Sequence, residues 1–352
     1  MILSAIITAV IGFISGTHLL PPKYQSYQLD YRRIAINIPL THKEQKTDIH
    51  NALGEKYLAE SLARAFNQQS YQAVVNTQED TLAERTSLSG YEFYLRAYPE
   101  LAHKNYHELL SSDRISILYE TFPYNLAEVK KVDIIFTGSE KRSNTYRAMG
   151  LNSYFIPQFT SIEDFYPAYD ADKATDVLYV ANQWPDKAPR ITVQYALKTN
   201  TKIDIYGKNW QDILKGEARK LLKGEQIPNK ELKYYYSSAK IVLNDMRPDM
   251  VEAGFINNRI FDVSACKAFQ ISAYSPAIKE IYGDSIPMYS TPEEFQQLIS
   301  YYLAHPEERH QKAEIAYQIT ISRFTRDKVA EKMLKLMENY RRHKQEGEHH
   351  AQ

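Results

Sequence analysis

Strand-like apolar runs alternate with helical patterns from Arg33 almost to the end of the chain, and the alternation breaks once and then restarts. Alternating β and α segments build parallel sheets whose faces are covered by helices, so this pattern constrains the fold more than any other feature. The first run, Ile34-Ala35-Ile36-Asn37-Ile38, is followed by a helix over about 54–68, whose Tyr57, Leu58, Leu62, Ala65 and Phe66 share one face. Short strands are predicted at 73–75, 92–98, 115–119 and 132–136. A helix after Ser139 ends at Gly150, a natural C-terminal stop, and leads into Tyr154-Phe155-Ile156.

The break is Tyr166–Asp176 (YPAYDADKATD), a polar stretch with a proline and three aspartates, Asp170, Asp172 and Asp176, which reads as an interdomain linker. Strands then resume at 177–180, 203–206, 241–243 and 269–272. Thr291-Pro292-Glu293-Glu294 is a capping box with proline at the first helical position, opening a helix that runs to Ala304. Two further helices carry the chain to about Lys344. The 352 residues suit two domains. The expected architecture is α/β, two Rossmann-like domains facing a cleft: an apolar segment at 1–22, a first domain over 30–165, a linker at 166–176, a second domain over 177–325 and a last helix over 326–344. Such sheets bind ligands beyond the carboxyl ends of their strands.

Composition removes several classes of function. Lys and Arg number 43 and Asp and Glu 43, and this zero balance argues against a nucleic-acid binder, which needs a basic excess. The single cysteine, Cys266, excludes a disulfide framework and a cysteine-based zinc site. Neither G-x-G-x-x-G nor G-x-x-x-x-G-K-[ST] occurs, so dinucleotide and P-loop readings lack their phosphate cradle, and no G-x-S-x-G elbow is present. His103 and His107 are spaced for one helix face but lack a third ligand; Asp170-Ala171-Asp172 lies in the polar linker and reads as a solvated loop; His305 and His310 read as surface. No metal and no cofactor is expected.

Met1–Leu20 contains no Lys, Arg, Asp or Glu and has the length of a membrane span, about 17–25 residues. The positive residues Lys23, Arg32 and Arg33 follow it, which for an anchor places the remaining chain on the cytoplasmic face. A buried strand or helix and a signal peptide are the competing readings; the anchor is favoured.

Tyr234–Tyr282 is the informative stretch. Ile241–Leu243 is a strand ending in Asn244-Asp245, polar residues where ligands bind. Next come MRPDM, with Arg247, and EAGFINNRIFDVSAC from Glu252 to Cys266. Gly254 permits close backbone approach, and Asn257-Asn258-Arg259 opens a helix, whose unpaired N–H groups and dipole suit a diphosphate. Arg259 adds a full charge in the first turn.

The pieces YSSAKIVLND, RPDM, GFINNRIFD, the Ala265-Cys266 pair, ISAYSPAIKEIYGD and TPEEFQQLISYYLAHPEERHQKAE resemble the C-terminal domain of glycosyltransferases in the spore-maturation CgeB-like group, related to the group 1 transferases. Weaker similarity covers DVLYVAN ending at Asn182, IYGKNW containing Gly207, and IFTGSE and IPQFTSIEDFYP in the first half. The resemblance implies the two-domain GT-B fold, with the last helix crossing back onto the first domain, and sugar transfer from a nucleotide-sugar donor to a glycan, lipid-linked or protein acceptor. It places Asn182, Gly207, Asn244, Arg247, Gly254, Phe255, Ile256, Asn257, Asn258 and Asp262 around the donor, and Arg259 and Glu252 at the reacting centre. The group 1 pattern sets two glutamates eight residues apart; here Glu252 and Asp262 are ten apart, with Asp262 in the second place, facing ribose hydroxyls, and Glu252 only an approximate match to the first. The leaving diphosphate would be met without metal by the Gly254–Ile256 amides, the helix start, and Arg259 or Arg247. The altered spacing sustains a rival, a non-catalytic nucleotide-sugar or glycan-binding subunit of an assembly complex.

Overall fold

The computed structural model describes residues 29–38, 54–77, 89–95, 114–184 and 188–350; Met1–Leu20, His103 and His107 lie outside them. The first sheet has six parallel strands, β1 (Asp30–Asn37), β2 (Gln72–Asn76), β3 (Ser89–Leu95), β4 (Ile115–Glu120), β5 (Ile134–Thr137) and β6 (Ser153–Phe155), in the order β2-β1-β3-β4-β5-β6. Every residue of β3 and β4 is buried, as expected for central parallel strands covered on both faces, so ISILYE shows no alternation. Helix α1 (Gly54–Gln68) covers one face, through Leu58, Leu62, Ala65 and Phe66. Helix α2 (Glu140–Ala148) covers the other, where Tyr146 packs with Leu118 and Ile135.

The second sheet comprises β7 (Thr175–Val180), β8 (Asp204–Tyr206), β9 (Leu222–Gly224), β10 (Ala239–Asn244), β11 (Gln270–Ala273) and β12 (Met288–Tyr289), all parallel, in the order β9-β8-β7-β10-β11-β12. Counted within the domain this is 3-2-1-4-5-6, the doubly wound Rossmann order, whose direction of winding reverses between β7 and β10. Its helices are α3 (Ile191–Thr199), α4 (Leu232–Ser238), α5 (Pro248–Ala253), α6 (Asn258–Ala265), α7 (Pro276–Tyr282), α8 (Pro292–Ala304) and α9 (Pro306–Arg323). Thr291 and Glu294 form the reciprocal capping box that opens α8. The short strands β9 and β12 carry no apolar run long enough to be read from sequence.

The chain passes between the domains twice. Thr160 N donates to Phe324 O (3.0 Å) and Arg326 N to Thr160 O (2.7 Å), so the two passes bond each other at the crossing. Arg326, almost fully buried there, donates to Glu163 (2.9 Å) and Gln68 (3.1 Å). Helix α10 (Arg326–His350) then returns to the first domain and presses Val329, Ala330, Met333, Leu334 and Met337 onto its core, a stripe at helical spacing. The Tyr166–Asp176 stretch is strapped along α4, with Ala168 N on Ser237 Oγ (2.9 Å) and Asp170 N on Ser238 Oγ (2.8 Å). Asp170 caps its own turn, accepting from Asp172 N (3.0 Å). Among the described residues no helix is long and apolar enough to cross a membrane.

Candidate functional site

The carboxyl ends of β7 and β10 flank the switch point, and the segment after β10 builds on it. β10 ends at Asn244, fully buried, whose Nδ2 donates to Ser272 Oγ on β11 (3.0 Å). Its Oδ1 accepts from both Asn257 Nδ2 and Arg259 Nη1, each at 2.9 Å. Asn244 therefore aims the first turn of α6 and spends its own polar atoms doing so.

Asp245, the next residue, is also fully buried and receives Arg190 Nε (2.8 Å), Tyr179 OH (2.7 Å) and Thr192 N (3.2 Å). Burial pushes its carboxyl up, but the Arg190 charge and these hydrogen bonds outweigh that and hold it below the usual range. Arg190 also reaches Asn182 O (3.1 Å) and lies on the Trp184 ring, 4.3 Å from its centroid. This pair ties β10 to the start of α3 across the switch point. Sequence reading overlooked Arg190, because nothing local marks a partner 55 residues away.

Between β10 and α6, helix α5 opens with Pro248 at its first turn and stops at Gly254, whose φ of 79° is the left-handed conformation glycine adopts freely. The amides of Gly254 and Phe255 close this helix end, bonding Val251 O (3.1 Å) and Met250 O (2.9 Å). This corrects the expected cradle: those two amides are engaged. The free donors lie one step further on. Asn257 is the N-cap of α6, yet its side chain points back to Asn244 Oδ1 and Asp245 O and makes no capping bond, leaving the first-turn amides of α6 without a side-chain partner. Asn257 Oδ1 is itself buried and unpartnered.

Arg259 projects from this turn. Half-buried, it makes no ion pair among the described residues, donates to the neutral Asn244, and lies close enough to Asp245, Asp262 and Tyr236 to bear on their ionisation. A guanidinium without an ion-pair partner beside an uncapped helix N-terminus has the chemistry to meet an anion with more than one donor. Arg247, by contrast, is exposed and pairs with Asp249 (2.9 Å), its guanidinium 5.1 Å from the Phe122 ring centroid of the first domain.

The two acidic candidates part company. The Glu252 side chain is exposed at the end of α5. Asp262 is buried, with Oδ2 accepting from Asn258 Nδ2 (2.7 Å) and Oδ1 unpartnered. Burial pushes its carboxyl up to about 7, against lowering contributions from Thr160, Asn258 and Arg259. Asp262 and Arg259 share α6 but do not pair: the arginine reaches β10, while the aspartate faces the interdomain crossing at Thr160. Asn182 is exposed and its Oδ1 accepts from Lys208 N (2.9 Å). Gly207 is needed for packing, since a Cβ there would lie 1.9 Å from Ala181 O. Ile256 is buried beside Met246 and Ile260.

The first domain closes against this segment. Phe255 packs on Gly138, where a Cβ would meet the ring at 3.1 Å. Ser139 Oγ donates to Ala253 O (2.5 Å) and Lys141 Nζ to Glu252 O (3.0 Å). The carboxyl ends of the two sheets thus meet, with the α6 start beside the seam. Neither contact is visible in the sequence, where Ser139 marks only a helix start, since the partners lie over 110 residues away.

Comparison with known proteins agrees with this fold. Residues 188–335 match a family model described as glycosyl transferase-like. Spore protein CgeB of Bacillus subtilis is 26% identical over 227 residues, covering 59% of this chain and 69% of that protein. Sucrose-phosphate synthase from Thermosynechococcus elongatus superposes with a TM-score of 0.67 at 11% identity, over 87% of this chain and 98% of that one. Anabaena HepE, in complex with UDP and glucose, gives 0.61 at 11% identity over 87% and 99%. An alpha-glucosyltransferase in complex with UDP-glucose and abasic-site DNA gives 0.61 at 11% over 86% and 98%. The chain has the GT-B fold, two parallel sheets with flanking helices, and resembles the CgeB-like glycosyltransferases.

Proposed function

We propose that this protein transfers a sugar from a nucleoside diphosphate sugar to a glycan, lipid-linked or protein acceptor, without a metal and on the cytoplasmic side, where such donors are made. The observation that carries this reading is Arg259, without an ion-pair partner among the described residues, at the uncapped start of α6 on the switch point of the second sheet. Breaking the sugar–phosphate bond builds negative charge on the departing diphosphate. Arg259 and the α6 amides meet that charge from fixed positions, which is where preorganised donors gain most. The buried Arg190–Asp245 pair and Asn244 hold those donors in place and need not touch the ligand.

Asp262, with a free acceptor oxygen, is the candidate for ribose hydroxyls, and exposed Glu252 for the donor sugar. Closure of the seam at Gly138–Phe255 excludes water, the competing acceptor. The resemblance to group 1 enzymes favours retention of configuration. HepE is complexed with UDP and glucose, which makes UDP and UDP-glucose the first compounds to test.

The experiment is a calorimetric titration with UDP, GDP and ADP, followed by release of nucleotide from the corresponding sugars before and after dialysis against chelator. Nucleotide binding with turnover that survives chelation supports the proposal. Loss of turnover on chelation removes the metal-independent step, and binding without turnover toward any acceptor favours the binding-subunit rival.

A further inference from the structure

The last four carbonyls of a helix have no intrahelical donor and must be capped from elsewhere. In α5 these are Met250, Val251, Glu252 and Ala253. The first two are closed within the second domain, by the amides of Phe255 (2.9 Å) and Gly254 (3.1 Å). The other two are closed by the first domain: Lys141 Nζ reaches Glu252 O (3.0 Å) and Ser139 Oγ reaches Ala253 O (2.5 Å). One helix end is therefore completed by both halves of the molecule.

The first domain is built to hold these two donors steady. Ser139 is fully buried and also serves as the N-cap of α2, accepting from Arg142 N (3.1 Å). Its own N–H bonds Thr137 Oγ1 (3.3 Å), which donates to the buried Glu120 (2.6 Å). Lys141 sits in the first turn of the same helix and makes no ion pair among the described residues. Phe255 on Gly138 supplies apolar contact between the two bonds.

We infer that Ser139 and Lys141 are positioning residues for the donor site: from the first domain they fix the α5–Gly254 turn that delivers Asn257 and Arg259. This rests on the proposed donor site but adds a dependence of that site on the opposite domain. The second domain alone leaves two carbonyls of α5 uncapped, so the turn reaches its observed form when the domains meet. A nucleotide that prefers the ordered turn then also prefers the closed arrangement, and the two equilibria are linked.

The test uses the full chain with Lys141→Met, Lys141→Arg and Ser139→Ala, each read two ways. Hydrogen exchange in the free protein, over peptides spanning 246–258, reports the turn itself; calorimetry with UDP reports its consequence. Lys141→Met keeps the aliphatic stem on an exposed side chain, so folding should be spared. Exchange is expected to speed up in Lys141→Met and Ser139→Ala and to return toward wild type in Lys141→Arg. UDP binding is expected to weaken about fivefold in Lys141→Met, the scale of one hydrogen bond. Unchanged exchange in both Lys141→Met and Ser139→Ala overturns the inference, whatever the nucleotide does. Faster exchange with undiminished UDP affinity also overturns it, because the turn would not then govern the site. Failure of the wild type to bind UDP, GDP or ADP overturns the donor reading itself, and shows before any variant is made.

Discussion

The two sheets end their fourth strands in opposite ways. In the first domain β4 ends at Glu120, fully buried and surrounded by Arg142, Tyr146 OH (2.8 Å), Thr137 Oγ1 (2.6 Å) and Tyr124 N (3.1 Å). Every charge there is answered within the domain. In the second, β10 ends at Asn244, equally buried but neutral, and the cation it steers, Arg259, has no ion-pair partner among the described residues. Topology alone makes both ends plausible ligand sites. Charge separates them: a self-satisfied network rigidifies a fold, whereas a guanidinium without an ion-pair partner beside an uncapped helix start is suited to an anion.

The contrast assigns stability to one end and binding to the other. Glu120→Ala removes one partner of a buried pair and leaves Arg142 without its carboxylate, which costs about 3–5 kcal/mol. Urea unfolding should show that loss. In the milder Glu120→Gln, whose side-chain oxygen still accepts from Thr137, UDP binding should weaken no more than in Ser139→Ala, since Glu120 reaches the site only through Thr137 and Ser139. A folded Glu120→Gln protein that lost nucleotide well beyond Ser139→Ala would move the ligand site into the first domain. Arg259→Ala has the converse profile. Turnover should fall by about a hundredfold, roughly 3 kcal/mol, as for the loss of one preorganised donor to a developing anion. Nucleotide affinity should fall less, because the charge grows during bond breaking. Steady-state kinetics with UDP-glucose and calorimetry on the same protein separate the two, and weakened affinity with unchanged turnover would make Arg259 a ground-state binding residue only.

Much of this organisation is legible in the sequence because its signals are local. The capping box at Thr291, the glycine stop at Gly150, and Asn257-Asn258-Arg259 ahead of an apolar run each announce an element boundary within a few residues. The alternation of apolar runs and helical stripes reveals two parallel sheets. Hidden from sequence is whatever depends on partners brought together by folding. Arg190 and Asp245 meet across the β7–β10 switch, and Lys141 meets Glu252 across the domain seam. Asn257 illustrates the limit best. Its position as N-cap is plain, but its side chain turns away from the helix it opens, because Asn244 offers a buried acceptor and Asp245 a carbonyl. The first turn of α6 stays open because an expected cap does not cap.

Asp262 supplies the smallest expected effect of the three, a dependence on pH. Its carboxyl is raised above the ordinary 3.8 to about 7, chiefly by burial. A raised folded value means the native state holds a proton that the unfolded chain releases more readily. Stability from this group is therefore full below about pH 4, falls as pH rises toward 7, and levels off above. Between pH 5 and 7 the loss is about 2 kcal/mol. Carboxylates held low, such as Asp245, run the other way and lose their contribution only in acid. The charged groups bearing on Asp262 are Arg259 on its own helix and Asp164 near the crossing; the first opposes the shift and the second reinforces it. Asp262→Asn keeps an acceptor for the Asn258 amide and cannot ionise. The difference between wild-type and Asp262→Asn unfolding free energies should therefore shift by that amount from pH 5 to pH 7, in favour of the variant. Parallel pH profiles would mean the carboxylate is already ionised and solvated. Nucleotide binding adds a second readout: a ribose hydroxyl donating to Oδ1 favours the ionised form, so UDP binding near pH 6.5 should release more protons from the wild type than from Asp262→Asn, where only the nucleotide's own phosphate contributes.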